Sequence, residues 1–191
     1  MIGEADHSPY TGVPGWLTIP EEDLLIKYAR NVPNHGIIAN IGVEFGRSMA
    51  AFSKFAPGVE IIGIEIKPLK AYGMNLTEAG LEVPPLLIGS SNDPINVAKF
   101  KDATNDKGID FLFIDGDHSI NGSAKDLELW APLVKVGGFM ALHDTACATN
   151  LVAHHTHFDV SRSLALWYRD HGVDWIAADM VDSITSFKRI S

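Results

Sequence analysis

Apolar positions in this chain follow two alternating rhythms. Short unbroken apolar runs mark strands buried on both faces. Between them, apolar residues recur every three or four positions, which marks amphipathic helices. Gly36-Ile37-Ile38-Ala39-Asn40-Ile41 reads as the first strand, followed by Glu60–Glu65, Pro85–Ile88, 109–114 and 138–142. The spacing predicts helices over Arg47–Phe55, over Lys70–Ala79 with Gly80 as its stop, from Asp93 or Pro94 to about Asn105, and over Asn121–Val134. Leu127, Trp130 and Leu133 form the core face of the last of these. An earlier helix begins near Pro20, with Glu21, Glu22 and Asp23 in its first turn, where acids suit the positive helix end. Its stripe of Leu24, Leu25, Tyr28 and Ala29 runs to about Arg30.

Towards the C-terminus, Phe158–Asp170 reads as a helix ended by Gly172. Residues 173–178 and 183–188 then flank a tight Asp179–Asp182 turn as a hairpin. Strands alternating with helices predict an α/β fold. The expected form is a doubly wound, Rossmann-like, mostly parallel seven-stranded sheet with a C-terminal antiparallel hairpin. Residues 1–19 carry Pro9, Gly12, Pro14 and Gly15 among Tyr10, Trp16 and Leu17, and read as an irregular arm docked by aromatics. Residues 20–191 then form one domain, and the length of 191 residues suits one core.

Two strands end abruptly in reactive side chains. Phe111-Leu112-Phe113-Ile114 runs into Asp115-Gly116-Asp117-His118-Ser119, and Phe139-Met140-Ala141-Leu142 into His143-Asp144-Thr145. The carboxyl ends of strands in open α/β sheets are where ligands bind. A third such place is Ile41-Gly42-Val43-Glu44-Phe45-Gly46-Arg47-Ser48, a glycine turn entering a helix with its unpaired N–H groups. Glu65 ends the next strand, where an acid takes ribose hydroxyls in nucleoside-binding sheets. Glu44 stands where a dinucleotide fingerprint needs its second glycine, so pyrophosphate would press on a carboxylate. A ligand bearing an amine or sulfonium is compatible with that position.

Net charge is −9 and no lysine or arginine run appears, which argues against nucleic acid. The single cysteine, Cys147, excludes an intramolecular disulfide and fits a reducing compartment. No apolar run approaches the ~20 residues of a membrane span, and the N-terminus lacks signal-peptide regions. A cytoplasmic enzyme with no membrane partner is expected. A homo-oligomer in which a second copy completes the pocket is compatible with the sequence.

The ordered set Gly15-Trp16-Leu17, Ile41-Gly42-x-x-x-Gly46-Arg47-Ser48, Ile114-Asp115-Gly116-Asp117-His118-Ser119, Gly137-Gly138 and His143-Asp144 resembles class I S-adenosylmethionine-dependent methyltransferases. It looks most like their small Asp-Gly-Asp-His motif group, from about Gly15 to Arg169. The resemblance implies that residues 20–191 are a methyltransferase domain binding S-adenosylmethionine. Cofactor contacts would come from Asn40, Gly42, Glu44, Gly46, Ser48, Glu65, Ser90, Ser91, Asp115, Asp117 and His118. Glu65 would take the ribose, and Ser90 and Ser91 match the place that contacts adenine. The family usually has an acid where this chain has Asn40, which offers hydrogen bonds but no charge.

Methyl transfer to a hydroxyl requires removal of the acceptor's proton or a lower acceptor pKa. His118 or His143 could act as general base, with Asp115 and Asp144 as further catalytic residues. Alternatively, Asp115 and Asp144 could hold Mg2+ or another divalent ion. Asp117 also suits a cap for the helix near Ile120. His154, His155 and His157 read as solvated or substrate-facing rather than as a metal cluster. Trp16 is either a lid over the acceptor or arm packing. The expected activity is methyl transfer to a small-molecule acceptor, at oxygen. The alternatives are a catalytically degenerate cofactor-binding module and a nicotinamide oxidoreductase, which Glu44 disfavours.

Overall fold

The computed structural model describes residues 6–145 and 159–191. The start of the helix expected at Phe158, together with Cys147, His154, His155 and His157, lies outside the described residues. The elements in chain order are β1 (Asp6–His7), β2 (Pro14–Gly15), α1 (Ile19–Asn31), β3 (Ile37–Ile41), α2 (Arg47–Phe55), β4 (Glu60–Glu65), α3 (Lys70–Glu78), β5 (Leu86–Ile88), α4 (Pro94–Ala103), β6 (Ile109–Ile114), α5 (Ile120–Trp130), β7 (Val134–Leu142), α6 (Val160–His171), β8 (Trp175–Val181) and β9 (Ile184–Arg189).

Seven strands form one sheet in the order β5-β4-β3-β6-β7-β9-β8. The five from β5 to β7 are parallel, and the β8–β9 hairpin continues the sheet antiparallel to β7. The chain leaves β3 towards β4 and β5, then returns to place β6 on the other flank of β3. This reversal opens a crevice at the carboxyl ends of β3 and β6. The alternating side chains of each strand feed two cores. On one face Ala39 and Ile41 pack with Phe100 of α4, Leu127 and Trp130 of α5 and Trp167 of α6. On the other, Ile38, Phe111 and Phe113 pack with Leu25, Phe52 and Leu76 of the first three helices.

Local deviations from the sequence reading have physical causes. The predicted 121–134 helix stops at Trp130, and Ala131–Leu133 tightens into a 3-10 turn around Pro132, which cannot continue the α-helix. Strand β7 therefore starts at Val134, earlier than expected, and shifts register across Gly137 and Gly138. The hairpin turn is Asp182-Ser183 rather than 179–182, because Met180 and Val181 pair with Thr185 and Ile184. Asp179 is inside the strand, where its N–H donates to Ser186 Oγ at 2.9 Å beside a register shift. The arm is less irregular than expected, since Asp6–His7 and Pro14–Gly15 pair as a short antiparallel ribbon.

Candidate active site

The register aligns the site. Ile41 pairs with both Ile64 and Ile114, and Ile114 with Leu142. Gly42, Glu65, Asp115 and His143 therefore leave the sheet side by side. The ladder runs one step further: Asp115 N–H donates to Ile41 O at 2.8 Å and His143 N–H to Ile114 O at 3.0 Å.

Gly42 adopts φ 80°, and a Cβ there would stand 2.0 Å from the Asp115 carbonyl oxygen. The glycine thus serves first to let β3 and β6 converge. Gly46 caps α2 at φ 94°, where a Cβ would strike Leu76 and Tyr72. Glu65 reaches back over the turn and accepts from Val43 N–H at 3.0 Å, Glu44 N–H at 3.3 Å and Ile66 N–H at 2.9 Å. Asn40 is fully buried, and its Nδ2 donates to Gly42 O and Ser48 Oγ, both at 3.1 Å. Asn40 Oδ1 has no partner among the described residues.

Four side chains form an alternating square. His143 Nδ1 lies 3.1 Å from Asp115 Oδ1 and 3.3 Å from Asp144 Oδ2. His118 Nε2 lies 3.4 Å and 3.5 Å from the same two oxygens. Asp144 holds a left-handed backbone (φ 58°), a strained state that recurs at functional sites. Burial alone would raise the Asp115 carboxyl, but the charges and hydrogen bonds of His143 and His118 outweigh it and hold the group at about 2. Burial likewise opposes charge on His143, yet Asp115, Asp144 and Glu21 raise it well above the ordinary imidazole value. His118 is raised too, against burial, chiefly by Asp115. Asp115, His118 and Asp144 each offer one ligand atom, all within 4.8 Å of one another, a donor set suited to a divalent cation.

Of the expected site residues, the structure brings together Asp115, His118, His143 and Asp144, with Gly42 and Glu65 on the adjoining strand ends. Asp117 turns aside and accepts from Ser119 N–H at 2.9 Å, while Ser119 caps α5. Ser90 and Ser91 follow β5, where Ser91 O accepts from Trp130 Nε1 at 2.9 Å. Ser48 is buried against Asn40.

Three residues without an expected role in the site prove central. Glu21, 2 % exposed, closes a capping box with Thr18 and also approaches His143 Nε2 at 3.4 Å. Its other oxygen accepts from Ser183 N–H at 2.9 Å and from Ser183 Oγ at 2.5 Å. Burial would raise Glu21, but His143, Ser183 and the Thr18 N–H bring it to about 2. Arg47 binds Glu22 Oε2 through Nε and Nη2 (3.0 and 2.9 Å) and donates to Gly15 O and Asp6 O, fastening the arm to the start of α2. Asp126, fully buried, accepts from Asn92 Nδ2 at 2.8 Å. The pattern Thr18-x-x-Glu21 was a legible capping signal; the reach of Glu21 to His143 was not.

The sheet order, the glycine turn and the acids at the ends of β6 and β7 now stand together with a match to known proteins. Residues 39–145, more than half of the chain, match the family described as methyltransferase domain. The chain belongs to that family. This places it among class I S-adenosylmethionine-dependent methyltransferases, as its motif order implied. A search of curated protein sequences finds no match. Solved structures share the fold at low identity. TomG, an O-methyltransferase of tomaymycin synthesis from Streptomyces achromogenes, solved with S-adenosylmethionine, is 15% identical with a TM-score of 0.69, covering 92% of this chain and 82% of its own. The methyltransferase PaMTH1 from Podospora anserina, solved with S-adenosylhomocysteine, is 16% identical with a TM-score of 0.67, over 92% and 80%. MycE of mycinamycin biosynthesis, solved with Mg, S-adenosylhomocysteine and mycinamycin VI, is 15% identical with a TM-score of 0.66. The match covers 92% of this chain and 50% of MycE, so the chain spans about half the length of that protein. Among the described residues no helix is long and apolar enough to cross a membrane.

Proposed function

We propose that this methyltransferase acts on a hydroxyl of a small-molecule acceptor, with a divalent cation held by Asp115, His118 and Asp144. The observation that carries the proposal is the convergence of those three ligand atoms one step beyond two neighbouring strands, beside the Glu65-bound turn. The residues present suit both the cofactor and the cation. Glu65 offers a carboxylate at a strand end, Asn40 near the end of β3 keeps an oxygen without a partner among the described residues, and the Asp-His-Asp set offers two hard carboxylates and an imidazole. MycE was solved with Mg and mycinamycin VI, and TomG is an O-methyltransferase, which supports the same chemistry here.

S-adenosylmethionine supplies an electrophilic sulfonium methyl, and a bound Mg2+ lowers the pKa of a hydroxyl it touches. The chain's own residues do the rest. Glu65 anchors the ribose, and Ser90 and Ser91 flank the adenine. His143 faces carboxylates from both ring nitrogens, which fixes Asp115 and Asp144 in orientation. Residues 20–191 act as the methyltransferase domain, and the 1–19 arm supplies part of the acceptor wall through Trp16. In a second reading His118, raised by its two acids and partly exposed, takes the acceptor proton without a metal.

Calorimetric titration with S-adenosylhomocysteine tests the proposal, using wild type and Glu65→Ala with and without magnesium. Saturable wild-type binding that weakens about tenfold to a hundredfold in Glu65→Ala supports the ribose anchor. Turnover on a hydroxyl panel that disappears with EDTA and returns with Mg2+ supports the metal. Turnover indifferent to EDTA and lost in His118→Gln moves the assignment to the histidine base.

A further inference from the structure

The carboxylates near the carboxyl edge differ in what they hold. Asp115 and Asp144 each face two imidazole nitrogens. Glu65 accepts three backbone N–H groups. Asp117 serves the start of α5. Among the described residues Glu44 alone in this set has neither an ion-pair partner nor a backbone donor. Its one donor among the described residues is the Trp16 indole N–H at 3.3 Å. Partial burial and the nearby charges of Asp115 and Glu65 raise its carboxyl, while the Trp16 hydrogen bond and His118 work against that rise. Glu44 is also a non-glycine residue with left-handed backbone (φ 45°) in the middle of the glycine turn. It is a solvent-exposed carboxylate placed next to the cofactor turn, with no ion pair among the described residues.

Asn40 provides the second observation. It lies one residue before the end of β3, is completely buried, and leaves Oδ1 without a partner among the described residues. Its two donors are spent on Gly42 O and Ser48 Oγ. It can therefore present an acceptor to a ligand but no charge. An ammonium bound here without an anion would forgo the stronger, charge-assisted hydrogen bond.

On the reading that the cofactor is S-adenosylmethionine, we propose that Glu44 supplies the negative charge that receives the cofactor's ammonium. Asn40 Oδ1 adds a neutral acceptor, and the Trp16 indole steadies the Glu44 carboxylate from the arm. The arm is thereby tied to cofactor binding through one hydrogen bond, while Arg47 fastens its backbone.

The test is calorimetry on the full chain with three probes: S-adenosylmethionine, S-adenosylhomocysteine and 5′-methylthioadenosine, which lacks the aminoacyl tail. Glu44→Gln should weaken the first two by the same factor, about tenfold to a hundredfold, and leave the third unchanged. Adding Asn40→Asp to Glu44→Gln should restore part of the loss. Thermal unfolding of each variant controls for folding. Unchanged S-adenosylhomocysteine binding in Glu44→Gln overturns the assignment. So does equal weakening of 5′-methylthioadenosine, which would mean that the turn itself has shifted. Loss confined to S-adenosylmethionine also overturns it, since the sulfonium would then be the partner. Failure of wild type to bind any of the three overturns the cofactor reading, and this assignment with it.

Discussion

Glu21 and His143 meet at 3.4 Å across 122 residues of sequence, and through that contact the first helix holds the ring that spans two active-site acids. Glu21 binds the N–H of Thr18 at the head of α1 and both donors of Ser183 in the hairpin turn. The carboxylate is thus a junction between helix cap, hairpin and site. Glu21→Gln keeps the shape and one acceptor oxygen but removes the charge facing His143. The expected result is a ten- to hundredfold fall in kcat, the usual range for a group that orients a ligating or catalytic residue, with S-adenosylhomocysteine affinity unchanged. Steady-state kinetics beside calorimetry would show the split; equal losses in both would refute the positioning role.

The same residue sets an acid limit. Its folded value of about 2 lies below the ordinary 4.5, so its stabilisation is complete above pH 4.5 and is lost as pH falls towards 2. At ~1.4 kcal/mol per unit, that is on the order of 3 kcal/mol. Urea unfolding of wild type should weaken across that window, and Glu21→Gln should show a flatter profile.

Much of this arrangement was legible in the sequence because it is local. Strand β6 runs unbroken from Ile109 to Ile114 and then stops at Asp115, so periodicity alone located both the strand and its reactive end. The order of the motifs located the turn at Gly42 and the acid at Glu65. What stayed hidden depends on contacts between distant segments. Glu21 and Glu22 look like ordinary first-turn acids, yet both are buried, one against His143 and the other against Arg47. Gly42 reads in the sequence as part of a glycine turn, and only the fold shows that its missing Cβ makes room for the backbone of Asp115. No spacing rule reports which strand will lie beside which turn.

That steric relation gives a contrast between two glycines. Both Gly42 and Gly80 have positive φ, 80° and 69°, but a Cβ meets Asp115 O at 2.0 Å in the first case and nothing within 4 Å in the second. Gly80→Ala should cost about 1 kcal/mol, the backbone penalty alone. Gly42→Ala adds a clash with backbone that cannot swing away, for a total of about 3 kcal/mol or more. Denaturant midpoints of the two variants would decide whether convergence of β3 and β6 is the constraint. Equal costs would show that it is not.

Arg47 and Glu22 form an ion pair with side chains 3% and 0% exposed, and Glu22 also accepts from Ser8 Oγ at 2.6 Å. Arg47→Met strands a buried carboxylate and frees the carbonyls of Gly15 and Asp6. A loss of about 3–5 kcal/mol is expected. Glu22→Gln in the Arg47→Met background removes the orphaned charge while keeping an acceptor for Ser8, and should recover a good part of it. A double-mutant cycle in urea measures the coupling; additive losses would mean that the pair is not the clamp.

Asp126 runs in the opposite pH direction from Glu21. Burial, reinforced by Asp117 and only partly offset by Ser91 and Asn92, raises its carboxyl from 3.8 to about 7. The folded state therefore prefers the protonated form. Its contribution is most favourable below pH 3.8 and declines as pH rises towards 7, by up to about 4 kcal/mol. Among the described residues one carboxylate oxygen has no partner, while the other accepts from Asn92 beside the loop that follows β5. Asp126→Asn fixes the neutral form at every pH and keeps an oxygen for Asn92. Urea unfolding should show the variant more stable than wild type at pH 8, by less at pH 5, and close to it only below pH 3.8. A variant less stable than wild type at both pH values would mean that Asp126 is held as an anion and that its pairing with Asn92 and Ser91 outweighs burial.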